Sequence, residues 1–322
     1  MDTYHVFIIN PISFRREGEQ EQIITEISGL FYNSGNGFYR IYISRFPWDA
    51  TGFIRSFAKS MPENSILRVY AIGGDGILFD CLNGIMGMPN AELAAVPYGY
   101  INNFVKRFGN KAPFLDLKRQ VYAPSVPIDV IRCGNKYGIN CCIVGLEARA
   151  IISFEKAREF FYKERLARQW LYLRLGRLLF FLCNIFACFE KEFFSSQMEI
   201  NIDGETYNGR YRSVNVFNSS YYGWLFHPVN ASVDDGKLDV VAAKHANTFR
   251  TVVSLPHYLN GRQNMFPRMY SHKQGHKITV KSNTSQVVYL DELIFYGKEI
   301  SLELLPRALR FVDPRRDPGS RI

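Results

Sequence analysis

The chain of 322 residues is poor in the features that mark several common classes of protein. Its six cysteines, Cys81, Cys133, Cys141, Cys142, Cys183 and Cys188, show neither CxxC spacing nor a disulfide framework. They read as reduced core residues of a cytoplasmic protein, with no metal site implied. The six histidines are scattered and none falls into an HExxH arrangement, which argues against a zinc hydrolase. The N-terminus lacks a basic segment, and its apolar run Val6–Ile9 is too short for a secretion signal. No apolar run reaches the roughly 20 residues needed to span a bilayer. Internal repeats, low-complexity tracts and long linkers are absent as well.

What remains has the composition of an ordinary globular protein, 47% hydrophobic and 21% charged. Lys and Arg number 39 against 30 Asp and Glu, a formal charge of +9, which favours an anionic partner. The aromatics do not interleave with Lys and Arg as in a nucleic-acid module, so nucleic acid is not expected.

The first third alternates short apolar runs with amphipathic segments: Val6–Ile9, a helical stretch from about Glu17 to Tyr32, Tyr39–Ile43, a helix near the cap candidate Asp49, Leu67–Ile72, Ile77–Ile85 and Leu93–Val96. Strand and crossover repeated in this way build a parallel sheet covered by helices. After about Ala123 the pattern turns antiparallel. Pro127–Cys133 and Tyr137–Val144 flank Gly134-Asn135, and Met198–Ile202 and Tyr211–Phe217 flank Asp203-Gly204, both hairpin signals. Leu238–Ala243, Lys277–Val280, Gln286–Leu290 and Ile300–Leu304 continue the β reading. The expected architecture is therefore α/β plus all-β, with domains over 1–124, completed by 307–322, and over 125–306.

A helical insert over about 150–194 interrupts the β pattern. It carries Arg149, Lys156, Arg158, Lys163, Arg165, Arg168, Arg174 and Arg177 and runs into the apolar stretch Leu178–Phe189. It suits a basic, apolar helix lying against an anionic membrane surface or lining an acyl pocket. A helix packed on the β-domain with a solvated basic face explains it equally well.

Chemistry concentrates at Gly73-Gly74-Asp75-Gly76, where a strand ends and a helix begins at once. Bare N–H groups and a helix N-terminus at the carboxyl edge of a strand form an anion site. Asp75 beside phosphates calls for an intervening Mg²⁺. A tight turn that happens to hold an Asp is the plainer alternative.

On these residues the sequence resembles the diacylglycerol kinase catalytic family, which takes in bacterial soluble lipid kinases, sphingosine and ceramide kinases and, more distantly, NAD kinases. Asn10-Pro11-Ile12-Ser13-Phe14 is similar to its Asn-Pro-x-Ser-Gly, and Gly73–Ile77 to Gly-Gly-Asp-Gly-Thr, followed by Asn83-Gly84. Pro97–Phe104 is similar to Pro-x-Gly-Thr-x-Asn-Asp-Phe, Gly145–Ala148 to Gly-x-Asp-Ala, and Ala231–Val240 to Ala-x-x-Asp-Asp-Gly-x-Leu-Asp-Val. Asp291-Glu292-Leu293 stands where the family has Asp-Gly-Glu.

The resemblance implies a Rossmann-like N-terminal nucleotide domain and a C-terminal antiparallel β-sandwich-like domain. It implies ATP between the domains over Asn10, Pro11, Ser13, Ser44, Gly73, Gly74, Asp75, Gly76, Ile77, Asp80, Gly99, Tyr100 and Asn102. Asp75, Asp291 and Glu292 would be catalytic, and Asp235 with the backbone oxygens of Ser232 and Lys237 would hold a structural Mg²⁺. The implied activity is transfer of the γ-phosphate of ATP to the hydroxyl of diacylglycerol or another membrane lipid, by a cytoplasmic, peripherally associated enzyme. Homodimerisation is left open.

Departures fall on the nucleotide side: Phe14, Ile77, Tyr100 and Asn103 replace Gly, Thr, Thr and Asp. They define the alternative, a catalytically impaired pseudokinase that binds nucleotide or lipid. The missing glycine shifts Glu292 by one position, which in a strand turns it to the opposite face. Asp203-Gly204-Glu205 spells the intact tripeptide but sits at a hairpin turn and reads as a decoy.

Overall fold

A computed structural model describes residues 2–14, 16–34, 38–162, 166–190, 195–223 and 226–316, with the side chains of 33, 34 and 158–173 outside that description. Lys163 and Arg165, the end of the helical insert at 191–194, and residues 317–322 of the expected C-terminal return therefore lie outside the described residues, as do the side chains of Arg158 and Arg168. The chain divides into two compact units, Met1–Asp129 with Pro306–Ile322, and Val130–Leu305.

The first unit alternates strands and helices: β1 (Thr3–Ile9), α1 (Glu19–Ser34), β2 (Phe38–Ile43), α2 (Asp49–Ala58), β3 (Ile66–Gly73), α3 (Asp75–Ile85) and β4 (Ala91–Pro97). Short helices α4 (Asn103–Lys106), α5 (Ala112–Leu115) and α6 (Leu117–Tyr122) lead to β5 (Ser125–Cys133). The strands pair in parallel in the order β4-β3-β1-β2. All seven residues of β4 are buried, as expected of a strand covered on both faces. On one face, Phe7, Ile9, Tyr70, Ile72 and Val96 pack with Ile23, Ile27 and Phe31 of α1 and with Leu117. Elsewhere α2 meets α3 at Gly84, where a Cβ would stand 2.9 Å from Ile54 Cδ1. Gly84 thus serves helix packing rather than turn geometry. Asp49 is the first residue of α2 and not its cap, which falls on Trp48. Its carboxylate is taken by Arg45, with Nη2 3.1 Å from Oδ1.

The second unit holds β6 (Lys136–Gly138), β7 (Cys141–Gly145), α7 (Leu146–Tyr162), α8 (Leu166–Ala187), β8 (Ser196–Ile202) and β9 (Glu205–Phe217). These are followed by β10 (Leu238–Lys244), α9 (Thr248–Leu259), β11 (Tyr270–Gly275), β12 (Lys277–Leu290) and β13 (Leu293–Val312). The pairings are antiparallel. At the β8–β9 turn Asp203 and Gly204 both take positive φ, 50° and 96°, the mirror-image geometry that follows strand twist.

Three features differ from the sequence reading. The helical insert is two helices, α7 and α8, packed against each other. A further helix, α9, lies between the expected β runs Leu238–Ala243 and Lys277–Val280, in a stretch to which the sequence assigned no element. The runs before and after Gln286 form one strand, β12, with an irregularity between Lys281 and Gln286. Strand β13 also continues past Leu305 into the first unit, where Arg310 and Phe311 pair in parallel with Glu92 and Leu93 of β4.

Candidate phosphate-binding site

Three connections meet at the carboxyl ends of β1, β3 and β4. The turn after β1 is held by Asn10, whose N–H donates to Ile72 O at 3.0 Å and whose Oδ1 accepts from Ile12 N at 3.3 Å. Beside it, a Cβ on Gly73 would lie 2.9 Å from Ser13 Oγ and 2.8 Å from Ile77 Cγ2. Gly73 also carries φ +156°, so side chains are excluded there twice over. The loop after β4 then closes on the loop after β3. Gly99 N donates to Gly73 O at 2.9 Å, and a Cβ on Gly99 would stand 2.3 Å from Gly74 Cα. Gly99 cannot carry a side chain while the two backbones touch, whereas a Cβ on Gly74 would stand 3.4 Å from Gly99 Cα. Pro11 is exposed, Gly76 is exposed, and Ser13 is buried.

No side chain caps α3, so its first turn offers bare N–H groups directly after Gly74. An uncapped helix start of this kind attracts anions. Asp75 stands in that turn and uses its carboxylate on the neighbouring loop, accepting from Asn103 N at 2.7 Å and Phe104 N at 3.2 Å. Burial raises its pKa despite those two donors. A carboxylate starved of water in this way gains from a nearby cation. With two main-chain donors and the Asn103 amide on it, the carboxylate still has lone-pair capacity to spare, so Asp75 fits a hydrated Mg²⁺. Asn102, in the left-handed region at φ 53°, donates through Nδ2 to Gly99 O at 2.6 Å and fixes the loop.

The other expected nucleotide residues have separate roles. Ser44 is buried and donates its N–H to Ile9 O at 2.9 Å, tying β2 to the turn after β1. Asp80 is turned to α2, accepting from Thr51 N at 3.2 Å, with the Thr51 hydroxyl 2.5 Å away; burial raises its pKa. Ile77 is buried and Tyr100 half-buried. Phe14, expected to crowd the phosphate space, packs instead against Tyr98 at 5.2 Å and against the core beneath α1. Asn103 contributes both its main-chain N–H and its side-chain amide to Asp75, so the residue in the family's Asp position helps to hold this carboxylate.

In the second unit Asp291 and Glu292 form the tight turn between β12 and β13, with Leu290 paired to Leu293. Glu292 thus lies in a turn, in which Asp291 carries φ 49°, and not in a strand that would turn it to the opposite face. The Asp291 carboxylate accepts from three main-chain donors: Ile139 N at 2.7 Å, Asn140 N at 3.0 Å and Cys141 N at 2.8 Å. It is a staple for the segment between β6 and β7. Glu292 is half-exposed and accepts from Tyr289 OH at 3.3 Å. Asp203, in the decoy tripeptide, accepts from the main-chain N–H groups of His276 and Lys277.

The loop before β10 holds the expected metal residues. Asp235 is exposed and accepts from Lys237 N at 3.1 Å, Ser232 donates to Asp234 at 2.5 Å, and Gly236 takes φ 72°. Asp235 with two main-chain oxygens is a hard-oxygen set whose chemistry suits Mg²⁺. No group of three or more His, Cys, Asp or Glu side chains able to hold a metal occurs among the described residues.

Glu147, noted in the sequence only as a motif match, is fully buried at the start of α7 with neither oxygen hydrogen-bonded. Gly145, at φ +97°, brings α7 against β9, where a Cβ would meet Arg212 O at 2.5 Å. Arg212 Nε and Tyr222 OH are likewise buried without partners. The signal for this cluster lay in the sequence only as a lone acidic residue after a glycine.

A parallel α/β unit ending in a bare main-chain cradle, followed by an antiparallel β-rich unit, is the class of nucleotide-binding fold to which the diacylglycerol kinases belong. The description "Diacylglycerol kinase catalytic domain" matches residues 5–133, and "YegS C-terminal NAD kinase beta sandwich-like domain" matches 172–312. The two matches together span most of the chain and bear out its resemblance to the diacylglycerol kinase catalytic family. It is 26% identical over 283 residues to a protein named "Probable lipid kinase YegS-like" from Shewanella frigidimarina, covering 85% of both chains. A solved diacylglycerol kinase structure from Bacillus anthracis superposes with a TM-score of 0.67 at 19% identity, over 96% of both chains. Another solved chain from that organism reaches 0.72 at 20% identity. At such identity the superpositions speak for the fold alone.

Proposed function

We propose that the protein is a lipid kinase that transfers the γ-phosphate of ATP to the hydroxyl of diacylglycerol or a similar membrane lipid. The observation that carries this reading is the contact of Gly74 with Gly99, which leaves a side-chain-free cradle at the uncapped start of α3. Phosphoryl transfer depends mainly on positioning and charge neutralisation, which main-chain N–H groups and a metal supply. The cradle would bind the phosphates of ATP, with Asn10, Ser13 and the Gly99–Asn102 loop fixing its walls. Mg²⁺, held through Asp75, would neutralise the charge that builds on the transferred group. Asp235 with the carbonyls of Ser232 and Lys237 would hold a second, structural ion.

For the acceptor, Glu292 is the better base, because the Asp291 carboxylate already serves three main-chain donors. Glu147, buried with unfilled acceptor capacity, suits the hydroxyl-bearing end of a lipid. Helix α8 supports peripheral docking: Leu178, Leu182 and Phe186 on it and Phe189 just beyond its end are exposed, and Arg174 flanks them. No helix among the described residues is long and apolar enough to cross a membrane. The pseudokinase alternative rests on Phe14, Ile77, Tyr100 and Asn103 together, and the packing of the Phe14 ring against Tyr98 weakens one of its four supports.

The test is transfer of radiolabel from Mg-ATP to a panel of lipid alcohols in anionic vesicles. Labelled lipid is expected, and Gly99→Ala should lower the rate at least ~100-fold by separating the two loops. Nucleotide binding by calorimetry with no labelled product from any lipid would establish the non-catalytic reading instead.

A further inference from the structure

The first unit contains a cavity of about 200 Å³ at the end of the sheet away from the cradle, lined by Thr3, His5, Leu30, Phe31, Arg68, Val121 and Tyr122. Thr3 and His5 open β1, and Arg68 lies near the start of β3. Seven residues of extended chain separate this end of β1 from the turn at Asn10, about 20 Å. The cavity is thus outside the phosphate site and outside every motif of the sequence.

Its polar groups are arranged as donors. Arg68 donates through Nη1 to the carbonyls of Gln120, Val121 and Ala123, at 3.2, 2.7 and 3.1 Å. Its Nε and Nη2 bind the Glu92 carboxylate at 2.7 and 2.6 Å. The guanidinium is therefore neutralised and committed before any ligand arrives. The Tyr70 hydroxyl lies 2.7 Å from His5 Nδ1 with the Arg68 charge beside its oxygen, an arrangement that turns its proton toward Nδ1. That assigns the ring proton of a neutral His5 to Nε2, which has no partner among the described residues. Burial and the Arg68 charge lower the His5 pKa to about 4, so the ring stays neutral near pH 7. The Thr3 and Tyr122 hydroxyls, also on the cavity wall, have no partner among the described residues.

The remaining wall is apolar and aromatic. Phe31 is tilted against His5 with centroids 5.0 Å apart, and Leu30 and Val121 complete the lining. Water is held well only where two to four polar partners converge on it. Donors dispersed around a partly aromatic wall, beside a charge already matched, instead complement an uncharged flat molecule with acceptors on its edge. The volume, below the usual range for drug-sized ligands, sets the size at one or two fused rings.

We infer that this cavity is a second ligand site, taking a small uncharged planar heteroaromatic with in-plane hydrogen-bond acceptors, of nucleobase type. The inference does not depend on the kinase reading. The strands that form its floor, β1 and β3, are those that end at the phosphate cradle, which gives such a ligand a place from which to tune it.

The experiment is calorimetry and thermal shift with adenine, cytosine, benzoate and benzylamine on the full chain, with a non-hydrolysable ATP analogue at saturation to fill the phosphate site. A neutral base is expected to bind and to raise Tm with the analogue present. His5→Phe, which keeps the ring shape and removes the donor, should weaken it ~10-fold, and Thr3→Trp should abolish it by filling the space. Should Thr3→Trp fail to fold, Thr3→Val combined with His5→Phe takes its place, with at least the same ~10-fold loss expected. Absence of binding by either base, preference for benzoate or benzylamine, or unchanged affinity in the variants would each overturn the inference.

Discussion

At the scale of single residues, the two acidic side chains of the β12–β13 turn separate by what they touch. Asp291→Ala would strand three buried main-chain donors, each costing about 1–3 kcal/mol, so a loss of about 3 kcal/mol or more is expected in denaturant unfolding. Glu292→Gln leaves those bonds intact and should leave stability unchanged while lowering kcat ~100-fold, the usual range for a lost general base. An unchanged kcat in that variant would remove Glu292 from the chemistry. The sequence presents Asp291-Glu292 as a carboxylate pair, because nothing local reveals that residues some 150 positions earlier donate to one of them. In the same way Phe14 looked like an obstruction only until its contact with Tyr98 was known.

His5 gives a pH dependence with a definite sign. Its folded pKa, about 4, lies below the ordinary 6.5. Between these values the unfolded chain binds a proton that the folded chain refuses, so stability is complete above pH 6.5 and declines as pH falls toward 4. A gap of that size corresponds to roughly 3 kcal/mol. Thermal unfolding from pH 7 to 4 should show this decline, and His5→Phe should flatten that part of the curve relative to the wild type.

At the scale of elements, the parallel half was legible because its strands and helices obey different periods and its glycines mark the turns. The phosphate cradle was legible for the same reason: close approach demands glycine at Gly99, against the Gly74 backbone, and at Gly73, against Ile77 and Ser13, and such approach leaves glycine in the sequence. Helix α9 was not legible. Its Thr-Val-Val run favours strands and Pro256 argues against a helix interior, yet Pro256 falls in the last turn and Thr251, Ser254, Leu255, Tyr258 and Leu259 form one buried stripe. Its start was signalled only by Asn247, whose side chain accepts from Arg250 N at 2.9 Å. Asn247→Ala is expected to cost about 1 kcal/mol, read as a lowered midpoint in urea with an unchanged slope. An unchanged midpoint would mean that burial alone sets the helix start.

At the scale of the whole molecule, the excess of nine positive charges has to be reconciled with exposed apolar side chains on α8. Charge alone brings a protein to any anionic surface; it is the apolar stripe that distinguishes a bilayer from a polyanion. Phe186 is 66% and Leu178 52% exposed on a helix that elsewhere buries Phe180, Cys183 and Asn184, and such exposure costs free energy in water that insertion into a leaflet recovers. Two separable terms follow. Sedimentation with anionic vesicles should weaken as salt rises, because the Debye length falls from about 10 Å at 0.1 M to 3 Å at 1 M. The double substitution Leu178→Ser and Phe186→Ser should reduce partitioning ~30-fold at fixed salt, corresponding to about 2 kcal/mol of lost burial, with Tm as the control for folding. Binding that follows charge but ignores the two substitutions would leave α8 as a helix of the second unit with no part in reaching the lipid.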